Sequence, residues 1–72
     1  MVNVTDLEER FEAGETVTVE ALKQRGLVRG FDPKVKVLGE GDITKALSVK
    51  VNKFSETAVE KIKAAGGSAE VV

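Results

Sequence analysis

Seven basic side chains in the middle of this sequence are the residues best suited to chemistry, and that chemistry is the binding of a polyanion. They are Arg25, Arg29, Lys34, Lys36, Lys45, Lys50 and Lys53. Seven bases against three acids give residues 25–53 a charge of +4, whereas six acids against two bases give residues 1–24 a charge of −4. Lysine and arginine contact phosphates without needing a catalytic geometry. The segment predicts either a face suited to a polyanion or a solvated strand surface whose lysines discourage edge pairing, and the residues alone favour the second.

Catalytic and metal chemistry have little material in this chain. It contains no His, Cys or Tyr, so the usual general bases and nucleophiles are missing, as are disulfides and thiolate metal sites. Acidic pairs such as Glu8 and Glu9 are typical of solvated faces, and no EF-hand spacing is present. Phe31 and Phe54 are predicted to lie in the core rather than to act as exposed stacking residues. We therefore expect no enzyme activity, no catalytic residue, no cofactor, no metal site and no small-molecule substrate.

The segment Gly39-Glu40-Gly41 resembles part of a phosphate-binding loop. However, no third glycine opens a helix, the loop carries Glu40 and Asp42, and another strand pattern follows it. The favoured interpretation is a tight turn between two neighbouring strands.

Capping residues and hydrophobic periodicity predict the elements that must position these side chains. Three helices are expected: one with a Thr5–Glu8 capping box, one from Val19 to about Arg25 capped by Thr18, and one capped by Ser55. Strand patterns occupy residues 2–4, 16–17, 35–38, 47–52 and 68–72. The alternation of strands and helices predicts an α/β fold with three helices packed on a short mixed sheet, paired at least partly in parallel.

The chain, at 72 residues with 42% hydrophobic content, fits one domain spanning residues 1–72. So short a chain buries only about 60% of the surface that its unfolded form exposes. No apolar run approaches the roughly 20 residues of a membrane span, and no leader pattern precedes the domain. We therefore expect a cytoplasmic protein that is monomeric in isolation.

Three ordered segments carry a resemblance to a known family. They are Val35-Lys36-Val37-Leu38-Gly39-Glu40-Gly41, then Leu47-Ser48-Val49-Lys50-Val51, then Phe54-Ser55 with Ala58, Ile62 and Ala64-Ala65-Gly66-Gly67. In order and spacing the chain resembles the C-terminal globular domain of the bacterial-type ribosomal protein fifteen family of the large subunit. The resemblance implies irregular stacked β-β-α turns and a structural role in the large ribosomal subunit. It also implies that the basic middle segment contacts backbone phosphates of ribosomal RNA, with neighbouring ribosomal proteins as further partners.

The family carries a long N-terminal extension rich in Gly, Arg and Lys, whereas Met1 begins at the globular domain. Without that charge the chain, with a pI near 5.4, is expected to bind RNA weakly by itself. An excised domain and a redesigned or reconstructed one are both compatible with the composition. The alternative function is an isolated or engineered scaffold, or a protein-interaction domain, with no activity of its own.

Overall fold

A computed structural model describes all residues from 1 to 72 and contains nine short elements. In chain order they are β1 (Val2–Asn3), α1 (Val4–Arg10), β2 (Thr16–Thr18), α2 (Val19–Gln24), β3 (Lys36–Leu38), β4 (Ser48–Val51), β5 (Lys53–Phe54), α3 (Glu56–Ala64) and β6 (Ser68–Val71). The predicted α/β class and the three helices are confirmed.

The strands form two separate three-stranded sheets, and every pairing is parallel. One sheet has the order β1-β3-β5 and the other β2-β4-β6. Successive strands therefore alternate between the sheets, and the chain winds through three turns that each add one strand to both sheets. This differs from the single mixed sheet expected from the sequence. The physical reason is that alternation fixes which face of a strand is buried but not which strand lies beside it.

The ends of α2 and α3 follow the sequence signals closely. The hydroxyl of Thr18 accepts a hydrogen bond from the Ala21 N–H at 3.0 Å, and that of Ser55 accepts from the Ala58 N–H at 3.1 Å. Both helices end in a Schellman motif. In α2, the N–H of Leu27 donates to the carbonyl of Leu22 at 2.9 Å. The equivalent bond in α3 joins Gly67 to Ile62 at 3.0 Å.

The N-cap of α1 lies two residues earlier than predicted. The N-cap is Asn3, whose backbone N–H donates to the Asp6 carboxylate at 2.9 Å. Thr5 lies inside the helix, and the Glu8 carboxylate is used elsewhere: it accepts from the Thr44 hydroxyl at 2.7 Å. The predicted Thr5–Glu8 box is therefore wrong, because a distant partner took the carboxylate that the box requires.

A single aliphatic core fills the space between the sheets and helices. Its fourteen buried residues are all hydrophobic: Val2, Val4, Leu7, Phe11, Val17, Leu22, Val35, Val37, Ile43, Leu47, Val49, Val51, Ala58 and Ile62. Buried charge therefore plays no part in holding the fold, and the titratable groups lie at or near the surface. No helix combines the length and the apolar character needed to cross a membrane.

Candidate nucleic-acid interface

Arg25 is one of two predicted RNA-binding residues whose side chains bond to other parts of the protein. It pairs with Glu15, with 2.6 Å between Nη2 and Oε1, and its guanidinium lies 4.1 Å from the centre of the Phe11 ring. It also donates to the backbone carbonyl of Arg10. The Arg25 hydrogen bond is the main reason that the pKa of the Glu15 carboxyl lies below its usual range. These contacts tie the end of α2 to the segment after α1.

Lys45 is the second such base. Its Nζ donates to the carbonyl of Glu8 at 2.7 Å and to that of Phe11 at 2.9 Å, at the C-terminal end of α1. A cation suits that position because the last carbonyls of a helix carry partial negative charge. The neighbouring residue Thr44 donates hydrogen bonds to the Glu8 carboxylate from its hydroxyl and from its backbone N–H. These bonds lower the pKa of Glu8, and the bond from the hydroxyl has the larger effect. Together, the contacts made by Thr44 and Lys45 hold this part of the chain against α1.

Lys61 performs a similar task that the sequence did not reveal. Its Nζ donates to the carbonyl of Gly39 at 2.7 Å and also to that of Gly41. A Cβ on Gly39 would lie 2.6 Å from the Cβ of Thr57 on α3, and one on Gly41 would lie 2.5 Å from the Cβ of Thr5 on α1. The glycines therefore permit close approach to two helices.

The interpretation of Gly39-Glu40-Gly41 as a turn between neighbouring strands is wrong, because β3 and β4 lie in different sheets. The loop instead passes between α1 and α3 and presents its carbonyls to a lysine. Carbonyl groups repel phosphate oxygens, so this arrangement does not resemble a phosphate cradle, in which N–H groups point at the anion.

Lys36 and Lys53 are adjacent in the structure although seventeen positions separate them in the numbering. They are register partners on the parallel strands β3 and β5, so their side chains leave the sheet on the same face about 4.8 Å apart at the backbone. Neither forms an ion pair: the two pairs within 4.0 Å are Arg25–Glu15 and Lys34–Asp32. Two uncompensated ammonium groups thus stand side by side.

Lys34 and Arg29 extend this charge along the chain. Lys34 is separated from Lys36 by the buried Val35, so both lysines face outward. Its contact with Asp32 measures 3.9 Å between two exposed side chains, which is a weak interaction. Arg29 is exposed and lacks a carboxylate partner. We call Arg29, Lys34, Lys36 and Lys53 the basic patch.

Lys50 lies apart from the basic patch. It is exposed on β4, in the other sheet, where its register partners are Thr18 on β2 and Glu70 on β6. A carboxylate beside it offsets part of its charge. The seven predicted bases therefore divide into four in one patch, two bound to the fold, and Lys50 beside an acid.

Phe31 departs most sharply from expectation, since 97% of its surface is exposed. Phe54 is partly buried and packs against the core, as predicted. Asp32 has a φ of 52°, although a residue before proline, here Pro33, usually adopts extended geometry. Gly30, on the other side of Phe31, has a φ of 101°. Two left-handed residues therefore bracket the exposed ring.

The structure offers no assembled centre for a metal ion: no group of three or more acidic, His or Cys side chains lies close enough together to bind one. An open depression near α3 is lined by Asp42, Ile43, Thr44, Lys61, Ala64 and Ala65. Its lysine is already bonded to the 39–41 loop.

Comparison with known proteins places the chain in a family. A family model described as ribosomal proteins 50S-L15, 50S-L18e and 60S-L27A matches residues 1–70. The large ribosomal subunit protein uL15 of Syntrophotalea carbinolica is 54% identical over 72 residues, which are 100% of this chain and 49% of that protein. The uL15 protein of Thermotoga petrophila is 53% identical over the same span, again 49% of its length. That of Lachnoclostridium phytofermentans is 54% identical over 71 residues, 48% of its length.

The chain thus spans about half the length of the curated relatives that it matches. These relatives are ribosomal proteins by name, which agrees with the expectation that the chain is not an enzyme. Because the family model matches 70 consecutive residues, the chain belongs to the family of ribosomal proteins 50S-L15, 50S-L18e and 60S-L27A.

Proposed function

We propose that this chain is a structural constituent of the large ribosomal subunit and binds ribosomal RNA through backbone phosphates. The observation that carries the proposal is the register pairing of Lys36 with Lys53, which places two free cations together beside Lys34. Phosphates along a nucleic-acid strand are spaced a few ångströms apart, so neighbouring cations can each neutralise one. The family supports the location on the ribosome, in the cytoplasm, with ribosomal proteins as neighbours.

The proposal narrows the predicted RNA-binding set. Arg29, Lys34, Lys36 and Lys53 contact phosphates, whereas Arg25 and Lys45 act by fixing the fold that presents them. Lys50 contributes at most a peripheral contact, because Glu70 is its neighbour. With a net charge of −1 the chain binds weakly by itself, and it is a monomer in isolation.

The test is a titration of the chain on large-subunit ribosomal RNA at several salt concentrations. Each neutralised phosphate contributes about −0.9 to the slope of log affinity against log salt on a B-form duplex and about −0.7 on a single strand. Replacing Lys36 and Lys53 with Glu is expected to weaken binding and to make the slope shallower by up to about 1.8.

The matched control replaces Lys23 and Lys63 with Glu. These lysines are exposed on α2 and α3 without ion-pair partners, and the substitutions change the net charge by the same amount. A control that weakens binding as much as the Lys36/Lys53 variant would show that overall charge, rather than the basic patch, governs RNA affinity.

A protein-interaction role is the second candidate. It is favoured by β6, an edge strand that ends at Val71. Val71 and the following Val72 are 66% and 62% exposed. Complete absence of RNA binding at low salt, together with binding to a neighbouring large-subunit protein, would favour this second function over the first.

A further inference from the structure

We propose that Phe31 is a stacking platform for one unpaired nucleotide of RNA, whose flanking phosphates contact Arg29 and Lys34. This inference rests on the proposed function and extends it from backbone phosphates to a base. It assigns the basic patch a preference for RNA that contains an unpaired nucleotide.

The first support is the contrast among the three phenylalanines. Phe11 is 1% exposed and Phe54 packs against the core, but Phe31 is 97% exposed. Burying a phenylalanine side chain stabilises a protein by about 1.5–3 kcal/mol relative to leaving it in water. Of the three phenylalanines, Phe31 is the one whose burial does not contribute to the stability of the fold.

The second support is the backbone on either side of the ring. Gly30 has a φ of 101° and Asp32 a φ of 52°, so the chain turns in the left-handed region immediately before and after Phe31. A left-handed conformation disfavours residues with a Cβ, although aspartate tolerates it better than most. A loop with two such residues around an exposed ring holds that ring away from the core.

The third support is the charge around the ring. Arg29 lies two residues before Phe31 and Lys34 three residues after it, which places both Cα atoms within about 11 Å of it by chain reach. Lys34 then leads to Lys36 and its neighbour Lys53. The only acid in the loop is Asp32, which lies 3.9 Å from Lys34. The exposed ring therefore lies within three residues of two cations and one carboxylate, and the chain leads from Lys34 to a further pair of cations.

This combination matches single-stranded nucleic acid better than it matches a protein. An apolar protein surface covering Phe31 would have to desolvate the neighbouring cations, which is unfavourable unless each is paired. A nucleotide offers a flat base for the ring and phosphates for the cations, and base–aromatic stacking tolerates any base. Bases inside a duplex are already stacked on one another, so the ring requires an unpaired nucleotide.

The experiment compares the binding of the chain to a single-stranded RNA of about twelve nucleotides with its binding to a blunt RNA duplex of the same length. We expect Phe31→Ala to weaken binding to the single strand about 5- to 150-fold and to change duplex binding less than about twofold. Phe31→Tyr keeps an aromatic face and should bind as the wild type does, whereas Phe31→Leu should behave like the alanine variant.

A spectroscopic measurement separates stacking from general loss of contact. On addition of the single strand, the ring protons of Phe31 should move upfield through the ring current of the base, and addition of the duplex should leave them unchanged. Because Phe31 is exposed, its variants should unfold at the wild-type temperature, which a thermal melt checks.

Three outcomes overturn the inference. Equal single-strand affinities for Phe31→Ala and wild type, with weaker binding by the Lys36/Lys53 variant, would refute stacking and leave the proposed function standing. Equal losses on single strand and duplex would refute the preference for an unpaired nucleotide. Absence of binding to either short RNA at about 50 mM salt would refute the inference, and absence of binding to large-subunit ribosomal RNA as well would refute both proposals.

Discussion

Replacing Lys61 with Met is expected to lower the free energy of unfolding by about 1–3 kcal/mol. The lysine Nζ bonds to two carbonyls, those of Gly39 and Gly41, and these bonds hold the 39–41 loop against α3. A hydrogen bond to a charged group contributes about 1.5–3 kcal/mol. Gly41 is exposed, so water replaces the lysine at its carbonyl and the total loss is close to that of one bond rather than two.

The assay is urea unfolding of the variant and wild type at neutral pH, with a thermal melt alongside. A 72-residue domain has a total stability of about 4–11 kcal/mol, so the expected loss is a large fraction of it. The melting temperature should fall by about 4–8 °C for each kcal/mol lost. Amide exchange in the 39–42 segment should accelerate more than exchange in β4, because the loop loses its anchor directly.

Lys63→Met is the matched control. Lys63 is exposed in the last turn of the same helix and makes no side-chain hydrogen bond. The two substitutions remove the same charge from the same helix end, and lysine and methionine have similar helix propensities. If the two variants lose equal stability, the two carbonyl contacts contribute nothing and the reasoning about this loop is refuted.

Three further variants test other parts of the structure. Ile62→Ala, at a fully buried position, should cost about 2–5 kcal/mol in urea unfolding, and a loss below about 0.5 kcal/mol would contradict its place in the core. Lys36→Glu should raise stability by about 0.2–1 kcal/mol, because it replaces repulsion from Lys53 with attraction, and an unchanged or lower melting temperature would contradict the register. The lowered pKa values of Glu8 and Glu15 stabilise the fold above about pH 4.3, and this contribution is lost as the pH falls through the folded values. Acid titration of the Glu8→Gln/Glu15→Gln variant should therefore show a shallower fall in stability than the wild type, and parallel curves would contradict the shifts.

Local hydrogen bonding explains which parts of the fold the sequence predicted well. The caps at Thr18 and Ser55 and the endings of α2 and α3 involve atoms no more than five residues apart. Such contacts depend on residue type and spacing, both of which are visible in the sequence. The start of α1 was missed for the complementary reason. The Glu8 carboxylate could accept a hydrogen bond either within a local capping box or from the distant Thr44, and the tertiary structure places Thr44 within reach.

Topology explains most of what the sequence did not predict. The strand β5 has only two residues and follows β4 after one residue. The strand predicted over residues 47–52 therefore corresponds to β4 alone, and β5, in the other sheet, was missed. The neighbours of Lys61 lie at least twenty residues away in the chain. Hydrophobicity also misplaced Phe31, because the preference of phenylalanine for the core is a tendency that a loop with two left-handed residues overrides.

The candidate site was predicted by composition but not by arrangement. The basic middle segment is plain in the sequence, yet its charges serve three different purposes in the fold. Proximity to a carboxylate or to a helix end decides which purpose each serves. A count of charges cannot supply that information, because the partners Glu15 and Glu8 lie in the acidic first third of the chain.

At the Lys36–Lys53 pair, stability and function require side chains of opposite charge. Each turn of the winding chain places a new strand in parallel beside an earlier one, so register alone brings these two cations onto one face. Like charges on adjacent strands destabilise a sheet, and an acid at either position would relieve the repulsion. A phosphate between the two ammonium groups relieves it as well, and does so only in the bound state. Repulsion in the free chain therefore becomes attraction to RNA, and a more stable variant at this position should be a weaker binder.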